Sequence, residues 1–172
     1  YVYGAWAQAP DCASLTFNDY EIPESVPKYV ETDWTEDFVE PMKTFFTVRN
    51  GYTFHDEKCG DMPFICWPTI SPASIDYYGS EAVPGWKDSL LVTSLKNGAI
   101  YRLGMNADGK SVQGDIEKLF DSQNRYRDLA IIADGETIFV ATDPGGVTRA
   151  TDGGATTEMA NPGAILAFTY GE

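Results

Sequence analysis

Residues 125–142, RYRDLAIIADGETIFVAT, read as two β-strands joined by a tight turn. The runs 127–133 (RDLAIIA) and 137–142 (TIFVAT) are short and rich in β-branched and aromatic residues, and Asp134-Gly135-Glu136 between them is a hairpin signal. The preceding stretch has the same arrangement. Residues 73–78 (ASIDYY), 89–94 (SLLVTS), 99–106 (AIYRLGMN) and 114–120 (GDIEKLF) are four short strands, parted by Pro84-Gly85, Lys96-Asn97-Gly98 and Ala107-Asp108-Gly109. After residue 142 a further strand is expected at 164–170 (AILAFTY). The second strands of the two groups start at Ser89 and Thr137, a period of 48 residues. Four short strands in roughly 40–50 residues is the spacing of β-propeller blades. The chain therefore reads as all-β, with one full four-stranded antiparallel blade and one that lacks its fourth strand.

Outward from this pair the pattern weakens. Residues 143–163, rich in Gly and Thr, are expected to be a long flexible loop, and residues 43–48 (KTFFTV) a short strand. Residues 1–42 form an irregular acidic excursion punctuated by Pro10, Pro23, Pro27 and Pro41, with room for one short helix, while 43–172 hold the blades as a single partial domain. Asp11, Asp19, Glu21, Glu24, Glu31, Asp33, Glu36 and Asp37 are candidates for a calcium site, but no EF-hand spacing is present and a solvated acidic surface is the favoured reading.

Composition sets limits. A chain of 172 residues, 43% apolar, can bury one core. A formal charge of −14 argues against nucleic acid as a partner, and no apolar run is long enough for a membrane span. The opening YVYGAWAQAPDC is neither a charged leader nor a start at methionine, so the chain reads as a piece of something longer. His55 is the single histidine, and its charged neighbours mark it as a surface residue rather than a base.

Against this acidic background Arg125 and Arg127 stand out. On a strand, residues i and i+2 share a face, so two guanidiniums project together and need an anion between or in front of them. The bland alternative is clamping by nearby carboxylates, Asp128 among them. Cys59 and Cys66 flank a six-residue loop, and the pair could be a disulfide, half a metal site or two thiols. The spacing is not that of a zinc knuckle and no second pair completes a tetrahedral set, so we favour a disulfide and an extracytoplasmic compartment. So small a ring contributes roughly 2–3 kcal/mol. Cys12 is left over.

Four motifs then converge in order along the chain: Cys59-Gly-Asp-Met-Pro-Phe-Ile-Cys66-Trp67-Pro68-Thr69, Gly85-Trp86 leading into Leu90–Lys96, Asn124–Asp128, and Asn161-Pro-Gly163. Together they strongly resemble the C-terminal part of the soluble pyrroloquinoline quinone (PQQ) dependent glucose dehydrogenases, from about Trp34 to the end and more weakly before it. The resemblance implies a six-bladed propeller, periplasmic or secreted, that binds PQQ and calcium and oxidises an aldose sugar to its lactone. Arg125, Arg127, Lys96 and Thr69 match cofactor-binding positions. Trp67 and Phe64 match substrate-binding positions, and Phe64 stands where the family usually has tyrosine, which removes a hydroxyl contact to the sugar. Glu31 matches a ligand of a second, structural calcium. The catalytic histidine and the remaining ligands match nothing here and are expected upstream, so the isolated chain is expected to be inactive and to need the missing blades or a self-association partner. The competing class is a non-catalytic propeller-type module binding a sugar or a protein. Carboxylate pairing of Lys96 and both arginines, far apart from one another, would favour it.

Overall fold

A computed structural model describes residues 2–17, 21–33, 39–49 and 51–171. Trp34 and three of the acidic candidates, Asp19, Glu36 and Asp37, lie outside the described residues. The chain divides into two compact units, 1–41 and 42–172.

In the first unit β1 (Val2–Gly4) pairs antiparallel with β2 (Lys28–Val30), placing Tyr3 opposite Tyr29 with their rings stacked at 5.8 Å. Cross-strand aromatic pairs of this kind stabilise a short ribbon by a few tenths of a kcal/mol up to about 1 kcal/mol. Val26 and Ala9 supply its buried apolar positions. Where one short helix was expected, the described residues form three single 3₁₀ turns, Trp6–Gln8, Cys12–Ser14 and Glu31–Asp33. The spaced prolines give no helix room to propagate.

The second unit is built on two antiparallel sheets. β3 (Pro72–Tyr78), β4 (Ser89–Ser94), β5 (Ile100–Met105) and β6 (Val112–Leu119) form a four-stranded meander in chain order. β7 (Tyr126–Ile131), β8 (Thr137–Thr142) and β11 (Ile165–Thr169) form a three-stranded sheet with β8 at its centre. Between them in sequence, β9 (Thr148–Arg149) and β10 (Ala155–Thr156) make a separate small hairpin. Among the described residues no helix is long and apolar enough to cross a membrane.

Alternation decides the packing. Leu91, Ile100 and Tyr78 of the first sheet meet Tyr126, Leu129, Ile138 and Val140 of the second in one buried cluster, edged by Trp86, Phe120 and Phe168. The opposite face of the first sheet buries Val92, Tyr101 and Leu103 under Ile70 and Phe45. Each such aliphatic side chain contributes about 1.5–3 kcal/mol by leaving water. The turn at Gly135, φ +77°, is tied to the first sheet by the Tyr78 hydroxyl, which donates to its carbonyl at 2.5 Å.

Two sequence expectations are corrected. Residues 43–48 form no strand, because Phe46 adopts φ +55°, a left-handed conformation that breaks an extended run, and both Phe45 and Phe46 instead set their rings edge-on to Tyr101. The loop 143–163 is not a free excursion. It contains the β9–β10 hairpin, and Thr148 within it is fully buried.

Candidate functional site

Arg125 precedes β7, and Arg127 is the extra residue of a bulge, because the register passes from Tyr126 opposite Thr142 to Asp128 opposite Ala141. The chain reversal through β8 returns residue 143 to the start of β7, where the Asp143 amide donates to the Arg125 carbonyl at 3.0 Å. The Asp143 carboxylate consequently lies between the two arginines. Arg127 Nε and Nη2 donate to its two oxygens at 2.7 and 2.8 Å, and Arg125 Nε donates at 3.0 Å. The Arg127 hydrogen bonds, and then those of Arg125, hold the Asp143 carboxyl below its ordinary range against the opposing effect of burial. Asp128, the neighbour expected from sequence as a clamp, instead accepts from the Ser74 hydroxyl at 2.6 Å.

Both guanidiniums keep unused donors. Arg125 Nη1 donates to the carbonyl of Val147 and, at 3.4 Å, to that of Leu95, while Arg125 Nη2 and Arg127 Nη1 make no hydrogen bond to any described residue. Gly146, at φ +119°, leaves the space Arg125 occupies: a Cβ there would lie 2.8 Å from Nε.

Lys96 stands in the turn between β4 and β5 and is only 3% exposed. Its Nζ donates to the Trp67 carbonyl at 2.8 Å and the Thr69 hydroxyl at 2.9 Å, and lies 6.0 Å from the centroid of the Trp67 ring. No carboxylate among the described residues pairs with it. Burial, reinforced by the neighbouring charge of Arg149, pushes the ammonium down to about 8. The Thr148 hydroxyl sits 3.1 Å from the Lys96 carbonyl and 2.8 Å from that of Asn124, so one buried side chain ties the lysine turn to the start of β7. Asn124 is itself buried and locked to Asn161, whose amide donates to its side chain at 2.8 Å. Gly98 makes this approach possible: at φ +43°, a Cβ would meet the Asn124 backbone at 2.7 Å.

The cysteine loop presents Trp67 and Thr69. Cys59 and Cys66 form a disulfide with their Cα atoms 6.0 Å apart, and Cys12 is a free, exposed thiol. Trp67 Nε1 donates to the Phe54 carbonyl at 2.8 Å, and the Phe54 ring stands edge-on to the indole at 4.9 Å. Phe64, inside the disulfide-closed loop and three residues before Trp67, is 43% exposed. Glu31 opens a 3₁₀ turn in the other unit, and among the described residues no group of three or more His, Cys, Asp or Glu side chains could hold a metal ion. His55 is exposed.

Lys96, Thr69 and Trp67 are thus joined directly, and Arg125 is linked to them through the Leu95 carbonyl beside Lys96. Sequence reasoning missed Asp143, Thr148 and Arg149. The only available signal was an Asp immediately after a predicted strand, which is common at strand ends.

Residues 47–149, which contain all of these groups except Cys12, Glu31 and Asn161, match the model of the glucose/sorbosone dehydrogenase family. The chain belongs to that family. Among relatives, it is 38% identical over 175 aligned positions to quinoprotein glucose dehydrogenase B of Acinetobacter calcoaceticus, an alignment covering 99% of this chain and 37% of that protein. The chain therefore spans little more than a third of the length of the curated relative it matches.

Proposed function

We propose that this chain is the C-terminal part of a periplasmic PQQ-dependent sugar dehydrogenase that oxidises an aldose to its lactone, and that it supplies the cationic side of the cofactor site. The observation that carries this reading is a local surplus of positive charge. Arg125 and Arg127 share one carboxylate, Asp143, and retain donors at Arg125 Nη2 and Arg127 Nη1, while Lys96 pairs with no carboxylate among the described residues. In a chain of formal charge −14 such a surplus suits an anionic ligand, and a planar tricarboxylate fits the donor set because guanidinium forks pair with carboxylates through charge-assisted hydrogen bonds.

In this reading Arg125 and Arg127 bind cofactor carboxylates, with Asp143 fixing the angle between them. Lys96 and Thr69 orient the ring system, and Trp67 offers an aromatic face to sugar C–H groups. Bound there, PQQ supplies the quinone that takes up two electrons. Phe64 packs beside the sugar without a hydroxyl contact, which points to an aldose preference broader than glucose. The four- and three-stranded sheets are two consecutive blades of a six-bladed propeller. The general base, the ligands of the catalytic calcium and the partners of Glu31 at a structural calcium come from the rest of the protein.

The test is reconstitution of the full-length apoprotein with PQQ and calcium, followed by dye-linked oxidation of a panel of aldoses. Activity that depends on both additions, and that Lys96→Met lowers by roughly tenfold or more, is the expected result. Sugar binding without any PQQ-dependent oxidation would overturn it.

A further inference from the structure

Arg149 belongs to none of the ligand-facing groups, yet all three of its side-chain hydrogen bonds go to main-chain carbonyls of the segment that carries Trp67. From β9 its Nε and Nη2 donate to the Ile65 carbonyl at 3.1 and 2.6 Å, and Nη2 also reaches the Trp67 carbonyl at 2.7 Å. That Trp67 carbonyl also accepts from Lys96 Nζ, so one oxygen is shared by two cations. The hairpin that carries Arg149 is seated independently. Its backbone amide donates to the Lys96 carbonyl at 2.7 Å, and at its tip Gly154 lies so close to the Lys58 carbonyl that a Cβ would approach it to 2.9 Å.

We propose that Arg149 is a positioning residue: it latches the β9–β10 hairpin onto the disulfide-closed loop and thereby fixes Trp67 and Thr69 relative to Lys96 for cofactor binding. The functional consequence rests on the PQQ reading above, whereas the latch itself does not. A guanidinium suits the task because it presents several donors in a rigid fork and spans two carbonyls at once, and an ammonium on a flexible stem does not. The latch also sets charge. Among the described residues the charged group acting on the Lys96 ammonium is Arg149 from β9, whereas Arg125 reaches only the carbonyl of the adjacent Leu95, at 3.4 Å. Removing Arg149 takes away a cationic neighbour, so the Lys96 ammonium holds its proton to higher pH.

The experiment compares Arg149→Gln and Arg149→Lys in the full-length protein by amide hydrogen exchange without cofactor and by PQQ titration across pH. Arg149→Gln is expected to speed exchange at Ile65 and Cys66, whose amides bond within the loop at 3.1 and 2.9 Å, and to weaken PQQ binding by roughly tenfold. It should also move the alkaline decline of binding to higher pH. Arg149→Lys keeps the charge, so its alkaline decline should stay in place while loop exchange still rises. Unchanged exchange at Ile65 and Cys66 in both variants would overturn the latch. Faster exchange with wild-type affinity and an unmoved pH profile would reduce Arg149 to a structural tie and overturn the positioning role. Failure of the wild-type protein to bind PQQ at any pH would instead sink the function proposed above, and the exchange rates would still decide the latch.

Discussion

At Asp143 a single carboxylate is shared by two guanidiniums, and the arithmetic of charge there sets what the site can accept. Full neutralisation would need two carboxylates, so one positive charge remains, and Lys96 adds a second that is buried with no counter-ion among the described residues. Lys96 gives this a pH signature. Because its ammonium is pushed down to about 8, mainly by burial, it is losing its proton as pH rises through that value. An anionic ligand placed beside it would raise the value again, so binding at and above pH 8 should draw a proton from solvent. Calorimetric titration of PQQ in two buffers of different ionisation enthalpy measures this directly. Proton uptake is the expected outcome, abolished in Lys96→Met, and an enthalpy independent of buffer would contradict it. The sign for folding is that of the usual carboxylate case, because here too the folded-state value is depressed. Between about pH 8 and the ordinary lysine range the unfolded chain holds more protons than the folded one, so the contribution of Lys96 to stability grows with pH across that window. The closeness of Arg125 and Arg127 was legible from their i, i+2 spacing, whereas Lys96 was marked only by the resemblance to the family. Asp143 was not legible, since only the return of β8 brings residue 143 beside residue 125.

At the scale of elements, the hairpins were readable because Gly and Asp mark their turns and alternation marks their faces. In β8, Ile138, Val140 and Thr142 are buried while Phe139 between them faces out, as a half-buried strand requires. The segments that misled were those held by distant side chains. The stretch at 43–48 has strand composition, but Phe46 turns into the left-handed region so that its ring reaches Tyr101. The loop at 143–163 looks unstructured by composition, yet Arg149 and Thr148 anchor it to residues as far back as Ile65. Gly146 tests the order of this loop. At φ +119°, with Arg125 Nε 2.8 Å from where a Cβ would stand, Gly146→Ala combines backbone strain with a clash. A stability loss of about 1–3 kcal/mol is expected in denaturant unfolding, together with weaker PQQ binding as the guanidinium shifts. Wild-type stability and affinity would show that Arg125 is not held where the glycine places it.

For the whole molecule, the three-stranded sheet sets the terms of assembly. β11 pairs with β8 along one edge and with no strand among the described residues along the other, and Ile165 on it is 68% exposed. An open edge with apolar side chains is a template for another strand. Expressed by itself, the 172-residue chain is therefore expected to self-associate, and light scattering that shows a monomer with one cooperative melt would contradict this. In a full-length protein the same edge would be closed by the remaining chain, since the matched relative is nearly three times as long as these 172 residues. The repeat was visible because two groups of strands recur at a spacing of 48 residues, whereas the closure proposed for a propeller would involve strands that these residues do not contain.

The central claim is that Arg125, Arg127 and Lys96 form the cationic side of a PQQ site. Calorimetric titration of PQQ into the full-length protein with calcium present, beside an Arg125→Ala, Arg127→Ala double variant, tests it most directly. Binding to the wild type that weakens by roughly a hundredfold or more in the variant, with the fold of both retained by circular dichroism, is the expected result. Equal affinity in the two proteins would show that the paired arginines do no more than clamp Asp143.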